Sequence, residues 1–206
     1  NDSVILLYCK YNAKNQDSEL RTAPRILRAL RNKFPNKEIN FKILELTESF
    51  RGIKKGIANP EVSILGDKKD FLTDFRNGIF LAYGYLYAGE WDYDSIYIGT
   101  HILRDKKVTF GDCLPEFIEA FEIAGKLGIE KKVDIIAPLQ DAEKAYSLEI
   151  LKEHNFPLDL SWTCYASEVE QCGICVACYD RKIAFKEAGI VDTTVYLTEK
   201  ESSGLK

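Results

Sequence analysis

Four cysteines in the last quarter of the sequence have the spacing of metal ligands. Cys164 is followed by Cys172, Cys175 and Cys178, so that two overlapping C-x2-C pairs share the middle cysteine. A C-x2-C pair turns two thiolates toward one ion, and zinc takes four such soft ligands in a tetrahedron. Gly173 lies between two of the ligands, where its conformational freedom permits the tight turn that a zinc knuckle requires. We therefore predict a structural zinc ion on these four cysteines.

Two other interpretations of the cluster stay open. Four cysteines also hold iron–sulfur clusters, and spacing alone does not exclude one. Without a metal, the four residues would be reduced, buried cysteines. A zinc ion with four protein ligands has no open position for water, so we expect it to hold the fold and to do no chemistry. Cys9 and Cys113 stand alone in the sequence, and we expect Cys9 in the core.

Apolar periodicity predicts alternating strands and helices along the chain. The predicted strands are 4–9, 39–46, 95–98 and 133–136, and the predicted helices are 19–34, 77–88, 114–127, 143–154 and 181–188. Pro24 is predicted in the first turn of its helix, where its missing N–H costs little. The alternation predicts an α/β fold with a doubly wound parallel sheet. We expect one α/β nucleotide-binding-type domain over 1–160 and a zinc-binding segment over 161–206 packed on it.

Polar residues follow each predicted strand. In doubly wound sheets, ligands bind beyond the carboxyl ends of the strands, so these residues are the first candidates for a site. They are Tyr11-Asn12, Thr47-Glu48, Thr100-His101 and Gln140-Asp141.

Composition excludes some classes of function. The 206-residue chain has a net charge of −4, which argues against nucleic-acid binding because phosphate neutralisation needs clustered Lys and Arg. No apolar run approaches the roughly 20 residues that span a bilayer, and no basic segment with a long apolar core opens the sequence. These observations predict no membrane association and a cytoplasmic location.

Four motifs together resemble one enzyme family. The C-terminal motif comprises Ser-Trp-Thr-Cys-Tyr at 161–165, Cys-Gly-x-Cys-x2-Cys-x2-Arg at 172–181 and Ala-Phe-x2-Ala-Gly-Ile-x-Asp at 184–192. The upstream motifs are Arg-Asn-Gly-Ile-Phe-Leu at 76–81, Gly-x-His at 99–101 followed by Asp-Cys-x-Pro-Glu-Phe-Ile at 112–118, and Ala-Pro-Leu at 137–139 with Lys144. Their order and spacing, from about Phe75 to Tyr196, resemble the 7-cyano-7-deazaguanine synthases, which are queuosine-pathway members of the pyrophosphate-loop (PP-loop) ATPases.

This resemblance implies a fold, a reaction and its cofactors. The fold would be that of the PP-loop ATPases, which is similar to that of the adenine nucleotide alpha hydrolases. ATP would adenylate the carboxylate of 7-carboxy-7-deazaguanine, ammonia would displace AMP to give an amide, and a second ATP would drive dehydration to the nitrile. Mg²⁺ would assist at the phosphates, and relatives suggest a homodimer.

The matched motifs contain residue types that suit an adenylation site. Cationic side chains bind phosphate oxygens, and carboxylates bind Mg²⁺ or the guanine-like edge of the base. A histidine at a strand end is suited to donate to phosphate or carboxylate. The candidate substrate- and ATP-binding residues are Arg76, Asn77, His101, Asp112, Glu116, Lys144 and Arg181.

Structural alternatives exist for the candidates at helix starts. Arg76 and Asn77 are placed to cap and position the buried helix that they open. Asp112 is placed to cap the helix that begins near Leu114. The alternative for Glu116 is a negative charge in the first turn of that helix, where it interacts favourably with the helix dipole.

The other candidates have structural alternatives as well. The alternative for His101 is a buried residue at a strand end whose imidazole is hydrogen-bonded within the fold. The alternative for Lys144 is an ordinary solvent-exposed lysine that binds no ligand. Arg181 lies near enough to the cysteines in sequence to pack beside the zinc knuckle.

The sequence departs from the family in two places. The family's first strand ends in a Ser-Gly-Gly-x-Asp-Ser loop whose N–H groups cradle phosphate, and this sequence contains no Ser-Gly-Gly. Either Asn1-Asp2-Ser3 is the tail of that loop, or residues 4–12 correspond to the second strand and the loop lies upstream. Leu114 stands where the family favours a basic residue.

Three functional hypotheses follow. The first is the ATP-dependent ligase described above. The second is a catalytically degenerate or divergent member that binds a deazapurine, a nucleotide or a partner protein without nitrile synthesis. The third is a related PP-loop enzyme that modifies tRNA, which the net acidity disfavours.

Overall fold

The computed structural model describes residues 3–59, 63, 68–101 and 110–198 and shows an α/β protein. The strands are β1 (Ser3–Lys10), β2 (Glu38–Glu45), β3 (Ser95–Tyr97) and β4 (Asp134–Ile136), and the helices are α1 (Gln16–Lys33), α2 (Arg76–Glu90), α3 (Pro115–Gly128), α4 (Lys144–Glu153) and α5 (Val176–Glu187). Short 3-10 turns occupy 48–50, 56–58, 68–71, 111–113 and 158–160. The alternation of strands and helices predicted from periodicity is confirmed.

Two predicted helix starts were wrong. Helix α1 begins at Gln16, so Pro24 lies in its interior rather than in its first turn. Helix α5 begins at Val176, immediately after Cys175, which places Cys178 in its first turn. The first turn of α1 is polar and carries no apolar periodicity. The first turn of α5 is apolar, but it lies within the cysteine motif and was assigned to the metal-binding turn.

The chain divides into two compact units. One unit consists of Asn1–Phe71 with Leu148–Lys206, and the other is Leu72–Ser147. In the first unit β1 and β2 pair in parallel from Ser3↔Glu38 to Lys10↔Glu45, with α1 as the connection between them. Ser3 is the first residue of β1, whereas the Asn1-Asp2 part of the predicted loop tail lies outside the described residues.

The second unit holds the other parallel pair. Strands β3 and β4 pair from Ser95↔Asp134 to Tyr97↔Ile136, and the N–H of Ile98 extends the ladder by donating to the carbonyl oxygen of Ile136 at 3.0 Å. Parallel pairing of the strands is therefore confirmed. In the part of the chain that the structure describes, the four strands form two separate pairs.

The core of the second unit is built around Tyr85. Its ring packs with Ala88 and with Val133, which is fully buried. Its hydroxyl lies within hydrogen-bond distance of the carbonyl oxygens of Glu122 (3.3 Å) and Val133 (3.2 Å). The Glu122 carboxylate also accepts from the backbone N–H of Ile135 at 2.6 Å, which joins α3 to β4. These contacts set the position of the two strand ends where polar residues follow.

None of the helices in the described part of the chain combines the length and the apolarity that a bilayer span requires.

Substitution of Gly125 tests this core. A Cβ atom at Gly125 would lie 2.2 Å from Cζ of Tyr85, so alanine would force the ring and its hydrogen bonds to move. We expect Gly125→Ala to lower the free energy of unfolding by about 1–3 kcal/mol. Gly128→Ala is the matched control, because nothing lies within 4 Å of its added Cβ atom. Urea denaturation measures both variants, and equal stabilities would contradict the described packing.

Candidate metal centre and active site

The four predicted zinc ligands meet at one point. The sulfur atoms of Cys164, Cys172, Cys175 and Cys178 lie within 4.8 Å of one another, and all four residues are buried. The Sγ atoms of Cys172 and Cys178 are 3.9 Å apart, whereas Zn–S bonds in a tetrahedron place sulfurs about 3.8 Å apart. The donor set therefore fits a tetrahedral metal ion bound entirely by the protein.

Backbone N–H groups point at these sulfurs. Cys164 Sγ accepts from the N–H groups of Ala166 and Cys172, both at 3.3 Å. Cys172 Sγ accepts from the N–H of Cys175 at 3.3 Å. Such hydrogen bonds favour the thiolate form, which is the form that binds metal. Gly173 makes the turn with a φ of +82°, and a Cβ there would come within 2.7 Å of Thr198 Oγ1, so the turn requires glycine.

Arg181 stabilises the segment that carries the cysteines through stacking and hydrogen bonds. Its side chain is almost fully buried, and its guanidinium stacks on Phe185 at 4.8 Å. It donates to the hydroxyl of Ser161 at 2.6 Å and to the hydroxyl of Thr194 at 2.9 Å. Asp192 Oδ2 lies 3.8 Å from the guanidinium. The structure thus places Arg181 in the first unit, in a network that ties 161 to 194 around α5.

Asp192 completes that network. Its carboxylate accepts from the hydroxyl of Tyr196 at 2.6 Å and from the N–H of Thr194 at 3.0 Å. Although burial opposes its ionisation, these hydrogen bonds hold the pKa of Asp192 below its usual range. The sequence analysis quoted Asp192 only as a motif residue, and nothing in its spacing from Arg181 indicated that the two side chains would face each other.

Two upstream motifs come together at the start of α2. Asp112 Oδ2 accepts from the backbone N–H of Asn77 at 2.8 Å, and the Asn77 side-chain amide donates to the Asp112 carbonyl oxygen at 3.3 Å. Phe75, in the N-cap position, has no side-chain acceptor and adopts a left-handed conformation with a φ of +59°. Asp112 therefore caps α2 from 35 residues away, rather than capping α3 as the local alternative supposed.

Cys113 belongs to the same cluster. The Asn77 amide lies 3.1 Å from Cys113 Sγ. Burial raises the pKa of the Cys113 thiol to about 11, and the Asp112 carboxylate acts in the same direction. The thiol is thus protonated at neutral pH and lacks the thiolate character of a nucleophile. Arg76 is half-buried at the first residue of α2, and Glu116 is exposed in the first turn of α3.

His101 and Lys144 lie at the carboxyl ends of the second parallel pair. His101 comes after β3 and is half-buried. Burial lowers the pKa of His101, and the positive charge of Lys144 lowers it further. The imidazole is therefore neutral at physiological pH. Lys144 is exposed at the first residue of α4.

The first parallel pair also ends in a cleft. A cleft of about 470 Å³ opens beyond β1 and β2, and its lining includes the predicted strand-end residues Asn12, Thr47 and Glu48. Arg51 and Lys54 contribute cationic side chains to it. Each parallel pair thus carries polar residues at its carboxyl end, as expected for α/β sheets.

Comparison with known proteins decides the family. A family model described as "Queuosine biosynthesis protein QueC" matches residues 1–189. A 7-cyano-7-deazaguanine synthase from Methanococcus maripaludis is 34% identical in an alignment of 215 positions that covers 97% of this chain and 90% of the relative. The chain belongs to the QueC family.

Two further relatives show how the similarity is distributed. A 7-cyano-7-deazaguanine synthase from Campylobacter concisus is 31% identical over 204 residues, covering 94% of this chain and 87% of the relative. One from Acetivibrio thermocellus is 43% identical over 127 residues, covering 59% of this chain and 56% of the relative. The QueC kinship predicted from four motifs is confirmed, and the match includes the first 74 residues, in which the sequence analysis recognised no motif.

Metal analysis tests the cysteine cluster. We expect one zinc ion per purified chain and a loss of that zinc in Cys175→Ser, because the remaining three sulfurs leave the tetrahedron open. Cys113→Ser is the matched control and should retain the metal. A chelator should expose residues 161–198 to proteolysis, since metal binding at such sites is folding free energy. Iron with visible absorbance, or no metal, would contradict the zinc assignment.

Substitution of Asp112 tests its capping contact. Asp112→Ala leaves the N–H of Asn77 buried without an acceptor, so we expect a loss of about 1–2 kcal/mol in the free energy of unfolding. Asp112→Asn keeps an acceptor oxygen and should lose less. Glu119→Ala, which removes an exposed carboxylate on α3, is the control. If thermal and urea denaturation give Asp112→Ala the same stability as Glu119→Ala, the cap makes no net contribution to the free energy of unfolding.

Proposed function

We propose that this chain is an ATP-dependent ligase that converts 7-carboxy-7-deazaguanine and ammonia into 7-cyano-7-deazaguanine. The observation that supports the proposal most directly is the QueC match over residues 1–189, which contains the three upstream motifs and all but the last three residues of the C-terminal motif. The hydrogen bonds between Asn77 and Asp112 support it, because they bring two of those motifs into contact.

The proposed reaction uses two molecules of ATP. A carboxylate oxygen of the substrate attacks the α-phosphorus of ATP, and pyrophosphate leaves. Ammonia then attacks the acyl carbon, AMP leaves with the former carboxylate oxygen, and the amide forms. The amide oxygen attacks a second ATP in the same way, and loss of AMP and protons gives the nitrile. Mg²⁺ bound to the phosphates would neutralise charge on the leaving pyrophosphate.

The candidate residues are assigned proposed roles by their exposure and their contacts. Arg76 and Lys144 supply positive charge for phosphate oxygens. The exposed carboxylate of Glu116 is suited to a magnesium ion that keeps several water ligands. Asn77 and Asp112 position α2. Arg181 was proposed from the motif as a ligand-binding residue, and its donors to Ser161 and Thr194 favour a positioning role for the C-terminal segment.

The proposed zinc ion has a structural role. Cys164, Cys172, Cys175 and Cys178 would fill its four positions, which leaves none for water or substrate. A zinc ion bound in this way supplies folding free energy and no Lewis-acid chemistry.

Four further features belong to this proposal. We propose that the two parallel strand pairs are parts of one doubly wound sheet of the PP-loop type, with a domain boundary near residue 160. The cytoplasmic location and the homodimer also stay predictions. A homodimer predicts a molar mass in solution close to twice the 23.5 kDa of the chain.

Release of AMP tests the ligase. Purified protein with ATP, Mg²⁺, ammonia and 7-carboxy-7-deazaguanine should release two AMP for each nitrile formed, because AMP leaves once before the amide and once before the nitrile. 7-Deazaguanine, which lacks the carboxylate, is the matched control and should release none above background. AMP release no higher with the carboxylate than without it would reject the ligase.

A further inference from the structure

Helix α3 has an apolar face on its solvent side. Ile123 is 62% exposed and Leu127 is 84% exposed, and Ala120 and Ala124 are exposed beside them. Residues three and four apart are neighbours on a helix, so these four side chains form one continuous surface, which we call the α3 stripe. A single exposed leucine needs no explanation, but a contiguous exposed apolar patch marks an interaction site.

The opposite face of α3 is already packed within the second unit. Ile118 is buried, and the Glu122 carboxylate accepts from the N–H of Ile135 in β4. Gly125 lies against the ring of Tyr85 in α2. The helix is thus apolar on the side that packs within the unit and again on the side that faces solvent. Because helices that are apolar all round are normally buried, the α3 stripe indicates a contact surface.

The sizes of the stripe residues favour a second copy of this chain as the partner. A two-fold axis between Ile123 and Ala124 would set the α3 helices of two copies antiparallel, with the same surface used on both copies. Ala120 then lies opposite Leu127 of the second copy, and Ile123 lies opposite Ala124. Each large side chain meets a small one, which is the arrangement that close packing between helices requires.

The charges along α3 favour the same arrangement. Residues 115–122 contain three glutamates and no lysine or arginine, whereas residues 126–132 contain three lysines and one glutamate. Antiparallel packing brings the acidic end of each helix beside the basic end of the other, and parallel packing brings like charges together. Between Glu119 and Glu130 the exposed positions of this fully described segment are all apolar or glycine. The stripe itself therefore carries no charged side chain.

Helix α2 supplies further apolar surface next to the stripe. An interface of standard size buries about 800 Å² on each partner, which is more than one helix face offers. Helix α2 packs alongside α3, since the ring of Tyr85 meets Gly125. Leu86, the next residue, is 58% exposed, and Ala82 is exposed one turn before it. The contact would thus have the α3 stripe at its centre and the exposed side of α2 at its edge.

We propose that the α3 stripe is the centre of a two-fold interface between two copies of this chain, with their α3 helices antiparallel. This assigns a surface to the homodimer of the proposed function, and the inference rests on that homodimer. It does not rest on the ligase reaction, because none of the four stripe residues is a candidate substrate- or ATP-binding residue.

Two charge variants at one position test the two-fold contact. Ile123 lies beside the axis, so Ile123→Glu brings two carboxylates together and Ile123→Lys brings two ammonium groups together. Because like charges oppose association, we expect each variant to raise the Kd of the dimer at least about a hundredfold. Sedimentation equilibrium over a range of protein concentrations measures this Kd. An equimolar mixture of the two variants should form dimers again, since each carboxylate then faces an ammonium group.

Val169→Glu is the matched control. Val169 is 80% exposed and belongs to the first unit, so the same change from an apolar to an acidic side chain should leave the Kd of the dimer unchanged. Ile123 is exposed in the single chain, and its substitution should therefore leave the fold intact. Circular dichroism of each variant checks this.

The outcomes separate this inference from the ligase. The inference is supported, whether or not AMP is released, if the unsubstituted chain has about twice the 23.5 kDa mass, each variant dissociates, and their mixture forms dimers. A single-chain mass for the unsubstituted protein at every concentration would overturn it and assign the stripe to a different partner. A folded Ile123→Glu variant that dimerises as tightly as Val169→Glu would place the interface elsewhere. A mixture that stays monomeric would exclude the two-fold contact at Ile123.

Discussion

A buried polar group must find a partner, and this constraint organises the described parts of the chain. The four cysteine sulfurs lie within 4.8 Å of one another in a buried cluster. Four thiols packed so closely have no comparable set of partners unless a metal ion lies between them. The same constraint acts on Asp112, whose buried carboxylate meets an orphan N–H of α2. It acts again on Arg181, whose donors meet hydroxyl groups from two separate segments.

In the first unit, the cysteine cluster lies at the start of α5. Cys175 is the N-cap residue of α5, and Cys178 lies in the first turn. Once that end is fixed, the next turn presents Arg181 to Ser161 and Thr194, and the turn after it packs Ala184 and Phe185 against Leu148. The cysteine cluster, the arginine network and the apolar contact therefore stabilise one continuous segment. We expect their loss to be cooperative, because each depends on the register of the same helix.

In the second unit, a hydrogen bond between two distant motifs, from the N–H of Asn77 to Asp112, positions the start of α2. Helix α2 starts after a residue that has no capping side chain, and a carboxylate from another segment supplies the acceptor. The cap fixes the start of α2, where Arg76 is the first helical residue. A site held by such contacts is ordered before its ligands arrive, which lowers the entropic cost of positioning two substrates.

The sequence by itself determined the elements, the family and the metal ligands. Among the described residues, apolar periodicity located the four strands and the five α-helices, because it reports which face of an element is buried. The spacing of Cys172, Cys175 and Cys178 identified the metal cluster because a C-x2-C turn is a local structure. The motifs identified the family, although two helix starts were missed. The first turn of α1 is polar, and the first turn of α5 lies within the cysteine motif.

Only the tertiary structure decided what the polar side chains contact. For Asp112, which was predicted to bind substrate, the sequence offered a cap on α3 as the structural alternative. The carboxylate caps α2 instead, because the choice between two nearby N–H groups depends on how the helices pack. The contacts of the Arg181 guanidinium likewise depend on hydroxyl groups of Ser161 and Thr194, which no spacing reveals. Hydrogen bonds within a helix or a turn follow from sequence order, but those between segments depend on distances that exist only after folding.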